Sequence, residues 1–213
     1  MEKLTKGNQG YLDRLQRAES WVQRAQAIED WEDYHGQFIF YWIAFNALFG
    51  RDKIYRKSDK DDLNWFIGRI CDLDREEGTI RSQITPLKSK ADRLIKDKFL
   101  LELYWAEGTT SRVKRILQED QDQAHVAWER KKTDRYLEIL FSRLQVLRNQ
   151  IFHGCSTDRR SLNKTSLIPA VELLHALVPA FFAVMQCQGK GDDWPKIPYP
   201  RNDSPLNPDS RNF

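Results

Sequence analysis

Apolar residues recur at intervals of three and four positions along most of the chain, the spacing of one face of an α-helix. Alternation with a period of two, which is typical of β-strands, is nowhere sustained. The pattern therefore predicts an all-α fold. The first helix is predicted over about residues 9–34, and its polar face is predicted to carry Arg14, Arg17 and Arg24.

The segment Phe38–Phe49 is apolar all round. Such a pattern predicts a helix that is buried on every side, and this run is too short to span a bilayer. Asn46 is its only strongly polar member. A buried asparagine is usually a satisfied core amide, and the alternative is a supporting role in a site.

Residues 51–130 are charged and largely helical in pattern, and we interpret them as a helical elaboration of one domain spanning residues 1–187. Ser58, with Asp61 three residues later, resembles the start of a helix. A further helix is predicted through Leu94–Leu103. Gly108 closes that helix, and Thr109-Thr110-Ser111 supply caps for the next one.

Two more helices complete the predicted antiparallel bundle. One starts near Thr133-Asp134, and Gly154 is of a type that commonly ends a helix. The other covers about residues 166–187, where Pro169 suits the first turn and Pro179 predicts a kink or a break. Inside it, Glu172 and His175 argue against a membrane span.

Residues 188–213 contain five of the eight prolines. Proline disfavours both helix and sheet, so we expect an extended Pro-rich tail that lies over the bundle or over a neighbouring subunit.

Composition narrows the classes of function. The three cysteines form no CxxC pair and no Cys/His ligand spacing, so neither a disulfide framework nor a metal site is predicted. No Gly-rich phosphate loop or other cofactor signature is present, so we expect no cofactor. The start of the sequence has no apolar signal region, and we expect a cytoplasmic protein.

Charge is unevenly distributed along the chain. The net charge is only +3, but residues 111–160 carry 11 basic and 7 acidic side chains. The two interpretations are a solvated helical face and a surface for nucleic acid. Within this region Trp128 precedes Arg130-Lys131-Lys132, a combination that would suit stacking of a base beside phosphate contacts.

Arg148 lies four residues after Leu144 and three before Ile151, at or beside the buried stripe of its helix. A guanidinium there needs an anionic or polar partner, which is either a core group or a ligand. His153 is five residues further on, about 140° around a straight helix. If the helix ends at residues 152–154, His153 can approach Arg148; the alternative is that it only caps the helix.

The segment Arg148-Asn149-Gln150-Ile151-Phe152-His153 resembles the signature of the HEPN family: an arginine, often followed by a polar residue, four to six intervening positions and a histidine. Phe38–Phe49 and the helix over 166–187 are similar to the helices that flank this motif in the family. The resemblance covers roughly residues 1–50 and 133–187 and leaves 51–130 unaccounted for.

The resemblance implies a helical bundle that forms a homodimer, so that two Arg/His pairs line one cleft. Many family members are metal-independent RNA endonucleases of toxin–antitoxin, antiphage and CRISPR systems, some of them controlled by an antitoxin or regulatory protein. Arg148 and His153 would be the catalytic pair, with Asn149 orienting the phosphate or His153, and Asn46 in support. The alternatives are a non-catalytic HEPN module that binds RNA, nucleotide or protein, and an interaction bundle in which Arg148 belongs to a buried ion pair.

Overall fold

The computed structural model describes residues 6–30, 32–51, 58–153, 164–191, 194–195 and 197–198. Within those ranges every regular element is helical, which confirms the predicted all-α class. The α-helices are α1 (Lys6–Gln26), α2 (Tyr34–Phe49), α3 (Asp59–Leu73), α4 (Thr79–Ile84), α5 (Lys88–Lys96), α6 (Glu102–Glu107), α7 (Ser111–Glu129), α8 (Thr133–Phe152) and α9 (Lys164–Gln188).

The first helix ends earlier than the predicted range of 9–34. Helix α1 stops at Gln26, and α2 already starts at Tyr34. The cause is the carboxylate of Asp33, which accepts a hydrogen bond from the backbone N–H of Gly36 at 2.8 Å and so caps α2. A Cβ at position 36 would lie 2.3 Å from this carboxylate, which explains a glycine inside the first turn.

Arg14 is buried, whereas the sequence predicted it on the polar face of the first helix. Its side chain is only 1% exposed. Arg14 lies three residues after Tyr11 and four before Ala18, so the helical period places it within the apolar stripe. The prediction was wrong because residue type was given more weight than spacing.

Helix α2 contributes the aromatic centre of the core. The ring of Phe45 lies 4.6 Å from that of Phe141 and 5.8 Å from those of Phe66 and Phe181, centroid to centroid. The prediction of a helix buried on every side holds for most of the run, but part of it is only half-buried, including Asn46.

Helix α9 packs against α1, α2, α3, α4 and α5. Its segment Thr165–Gln188 is long and apolar enough to cross a membrane. However, 61% of its apolar 18-residue stretch is buried inside the protein. Its apolar character is therefore that of a central core helix.

The two prolines of α9 do not interrupt it. Of the kink or break predicted at Pro179, the break is wrong, since the helix continues through it. Pro169 lies in the second turn instead of the first, because the helix begins at Lys164. Pro169 has no N–H for the carbonyl of Thr165, four residues earlier. That carbonyl accepts a hydrogen bond from the Arg93 guanidinium at 3.2 Å, which replaces the missing helical bond.

The charged elaboration over 51–130 folds onto the bundle, since α4 and α5 pack on α9, and α3, α5 and α7 pack on α8. Ser58 caps α3 and Thr110 caps α7, as predicted.

The single helix predicted through Leu94–Leu103 is wrong. Asp97 interrupts it by accepting a hydrogen bond from the N–H of Phe99 at 2.9 Å, which starts a short 3-10 turn over Lys98–Leu100.

The described start of the predicted tail belongs to the core. Trp194 and Ile197 are buried. The indole N–H of Trp194 donates to the Gly189 carbonyl at 2.9 Å, and its ring meets that of Trp65 edge to face at 6.0 Å. Residues 199–213 of the predicted tail lie outside the described residues.

The turn between α7 and α8 holds Lys131 in the left-handed region, with φ of 55°. The N–H of Lys132 donates to the Ala127 carbonyl at 2.8 Å, and the N–H of Lys131 donates to the Trp128 carbonyl at 3.1 Å. These two bonds are the Schellman pattern of a helix end. Glycine normally occupies this position because a Cβ is strained there.

Lys131→Gly should therefore raise the free energy of unfolding by about 0.5–1 kcal/mol, measured by urea denaturation. Arg130→Gly is the matched control, since Arg130 has φ of −83°. It should lower the stability by about 0.5–1 kcal/mol, because glycine adds freedom to the unfolded chain without relieving strain. Equal destabilisation by both changes would contradict the strain at Lys131.

Candidate functional site

The motif lies at the C-terminal end of α8. The helix ends at Phe152, and His153 follows it with φ of −90° and ψ of 10°. The backbone N–H of His153 donates to the Asn149 carbonyl at 3.0 Å, which closes the last turn. The His153 side chain is exposed. The predicted helix end at 152–154 is therefore observed at its first residue, whereas Gly154 lies outside the described residues.

Arg148 is half-buried at the edge of the α8 stripe. Its Nη1 donates to the side-chain oxygen of Asn149 at 2.9 Å, and its guanidinium carbon lies 5.0 Å from the centre of the Phe152 ring. Both contacts come from the same helix as the arginine, within one turn. The guanidinium is therefore oriented by its own motif, at the end of α8 where His153 is exposed.

Arg143 is the deeply buried arginine of this helix, and the sequence analysis missed it. Its side chain is 3% exposed. Its Nη2 donates to the Asp120 carboxylate at 2.7 Å and its Nε to the Ile95 carbonyl at 3.2 Å. Arg143 lies three residues after Leu140 and four before Leu147. This spacing places Arg143 beside the apolar stripe just as that of Arg148 does, so its burial is predictable from the sequence.

A groove of about 530 Å³ runs along the face of α8 that carries Asn149. The other walls come from the starts of α3 and α6 and from α7. His153 lies four residues after Asn149 and seven after Val146, so the helical period places it on this same face at the end of the groove. The groove lining includes Lys60, Asn64, Glu102, Ser142, Gln145, Val146 and Asn149.

Asn149 connects the two parts of the site, because it lines the groove and accepts the hydrogen bond from Arg148. Its observed contact is thus with the arginine, whereas the sequence predicted that it orients the phosphate or His153.

Asn46 is half-buried on α2, which packs mainly against α1 and α9. The contact described for Asn46 is its own carbonyl, which accepts from the Gly50 N–H at 2.8 Å. The structure does not bring it to Arg148 among the described contacts.

Trp128 packs inside the chain. The guanidinium carbon of Arg81 lies 4.1 Å from the centre of its indole and Lys88 Nζ lies 5.3 Å from it, while the ring of Tyr136 contacts it at 5.0 Å. These contacts already occupy much of the ring that was predicted to stack a base. That role stays a prediction.

Arg130, Lys131 and Lys132 are exposed just before α8 begins. The rise of a helix is about 1.5 Å per residue, so the length of α8 puts them about 30 Å from His153. Within one chain the structure does not bring this basic segment to the motif.

No group of three or more His, Cys, Asp or Glu side chains within the described ranges is placed to hold a metal ion. No protein-family model, curated protein or solved structure matches the chain.

Proposed function

We propose that this protein is a metal-independent RNA endonuclease of the HEPN type, with Arg148 and His153 as its catalytic pair. The observation that carries the proposal is the arrangement at the end of α8. An arginine oriented by its neighbour Asn149 and an exposed histidine lie within five residues of each other, where the helix stops.

The proposed reaction is a transesterification within the RNA. The 2′-hydroxyl oxygen forms a bond to the adjacent phosphorus, and the bond from phosphorus to the 5′ oxygen breaks. Histidine exchanges a proton near neutral pH, so His153 suits removal of the hydroxyl proton or donation to the leaving oxygen. The fixed N–H donors of Arg148 suit the charge that develops on the phosphoryl oxygens. The products are a 2′,3′-cyclic phosphate and a 5′-hydroxyl.

We further propose a homodimer in which two α8 ends share one cleft. One histidine cannot be base and acid in the same step, and a two-fold axis would bring a second histidine without any further motif. Phe152 is exposed at this end of the helix, where such an interface would bury it. Light scattering at micromolar concentration should report about twice the 25.2 kDa mass of the chain. A strictly monomeric protein that cleaves RNA would contradict the shared cleft, but not the role of His153.

The test of the nuclease is cleavage of single-stranded RNA by the purified protein in EDTA, with analysis of the new ends. We expect cyclic phosphate ends, and no cleavage of the same oligonucleotide with 2′-O-methyl groups, because the attacking hydroxyl is then blocked. The His153→Ala protein, purified in the same way, is the control for contaminating ribonuclease. Binding of intact RNA without cleavage would favour the non-catalytic module instead.

A further inference from the structure

Three aromatic side chains form a patch that we name the aromatic platform: Phe99 on the 3-10 turn before α6, and Tyr104 and Trp105 on α6. Phe99 and Trp105 are exposed and Tyr104 is half-buried. Trp105 is 62% exposed and Phe99 is 47% exposed. Scattered exposed apolar residues are ordinary, but neighbouring exposed aromatic rings usually mark a binding surface.

The rings of the platform hold one another in place. Phe99 meets Tyr104 edge to face at 5.2 Å, and Tyr104 meets Trp105 edge to face at 5.8 Å. The indole N–H of Trp105 donates to the Phe99 carbonyl at 2.9 Å. Since its polar atom is already bonded inside the protein, Trp105 offers a bare ring surface to a ligand, which favours stacking over hydrogen bonding.

The platform is tied to the end of α8. The side-chain amide of Gln150 donates to the same Phe99 carbonyl, at 2.8 Å. Gln150 lies about 60° around the helix from His153 and about 160° from Arg148. A ligand on the platform would therefore lie on the side of α8 that carries His153.

Lys98 supplies a positive charge at the platform. Its Nζ lies 5.1 Å from the centre of the Phe99 ring and 5.3 Å from that of Tyr104, and no ion pair engages it among the described residues. Two nearby carboxylates have partners elsewhere: Asp97 accepts from the Ser166 hydroxyl at 2.6 Å, and Glu107 pairs with Arg112. Glu102 is exposed and lines the α8 groove.

We propose that the aromatic platform binds unpaired bases of single-stranded RNA, and that Lys98 contacts the adjoining phosphate. The exposed Trp105 ring with a lysine beside it is the combination that binds single strands without base pairing, because a base stacks on the ring and the lysine attracts the phosphate. The position of the platform would bring the next phosphate of the strand toward His153 at the end of α8. This last step rests on the proposed nuclease function; the binding itself does not.

The test is binding of a fluorescein-labelled oligouridine to the full chain carrying His153→Ala, which prevents cleavage during the measurement. Loss of one stacking ring corresponds to roughly a ten- to hundredfold loss of affinity, so Trp105→Ala should raise Kd at least about tenfold. Trp105→Phe keeps a ring and should retain most of the affinity. Leu12→Ala, which removes an exposed apolar side chain from α1, should leave Kd unchanged. A duplex of the same length should bind weakly in every variant, because its bases are already stacked.

Unchanged oligouridine affinity in Trp105→Ala, or no measurable binding by the parent protein, would overturn the proposal. So would a Trp105→Ala protein that turns from dimer to monomer in light scattering while its affinity for RNA stays the same, since the platform would then be a contact between copies. The nuclease is judged separately. Absence of cleavage together with Trp105-dependent binding refutes the nuclease alone, and cleavage with an unchanged KM in Trp105→Ala refutes the platform alone.

Discussion

His153→Ala should lower the rate of RNA cleavage by about a thousandfold, and Arg148→Ala by about a hundred- to a thousandfold. Proton transfer by a positioned side chain contributes roughly 10²–10⁴-fold, and one donor to a developing oxyanion contributes about 10²–10³-fold. The two groups have different proposed tasks, so neither should replace the other. Arg148→Lys should not restore activity, because a lysine lacks the planar pair of donors.

Both variants should remain folded. His153 is exposed after the last turn of α8, and the contacts described above for Arg148 are to Asn149 and Phe152 of the same helix. We expect stability changes below about 1 kcal/mol, as for other partly exposed positions. The measurement is initial rate by gel, with circular dichroism to monitor the fold.

Matched substitutions elsewhere separate catalysis from general damage. His125 is exposed on α7, and Arg115 on the same helix is 70% exposed. Alanine at either position should leave the cleavage rate within about twofold of the parent, as expected for surface positions. Full activity in His153→Ala would refute the catalytic assignment. Unfolding of Arg148→Ala would instead identify that arginine as a structural residue.

Arg14→Ala should lower the free energy of unfolding by about 3–5 kcal/mol. The Arg14 guanidinium donates to the Leu48 carbonyl at 2.8 Å and to the Pro195 carbonyl at 2.6 Å. Truncation would leave both carbonyls without this donor and open a cavity between α1, α2 and the C-terminal segment. Burial lowers the pKa of Arg14 to about 10, with Arg51 and Arg17 contributing, so the side chain is still charged at neutral pH.

Urea denaturation of three α1 variants would measure this effect. Arg14→Met fills most of the space but makes neither hydrogen bond, so it should be destabilised less than the alanine variant, by about 2 kcal/mol. Arg24→Ala, at an exposed position of the same helix, should cost under about 1 kcal/mol. An Arg14→Ala protein as stable as Arg24→Ala would show that the two carbonyl contacts contribute nothing.

Elements set by local chemistry could be predicted from the sequence. Ser58 and Thr110 are helix caps because their hydroxyls accept from an N–H three residues ahead, and that relation is visible in the sequence. The burial of much of Phe38–Phe49 follows from its composition. The start of α8 and its end beside His153 were predicted from turn residues in the same way.

Elements set by distant partners could not be predicted. Trp194 joins the core because it packs on Trp65 and Phe66. The sequence around residue 194 does not indicate these partners. Pro179 stays within a helix because α9 is packed on several sides, which offsets the cost of the missing hydrogen bond. For the site, the sequence indicated Arg148 and His153. The aromatic platform was not predicted, because Phe99 and Trp105 lie about 50 residues before the motif.

The hydrogen bond between Arg14 and Pro195 joins residues 181 positions apart. A ribosome synthesises Arg14 long before Pro195, so the growing chain must carry this arginine without its second carbonyl. Helix α1 can pack on α2 early, but the Arg14 guanidinium makes its hydrogen bond to Pro195 only after α9 and the segment beyond it have emerged. Contacts of such separation form late and slowly. The nascent chain is therefore expected to expose the arginine side of α1 until Pro195 has been synthesised.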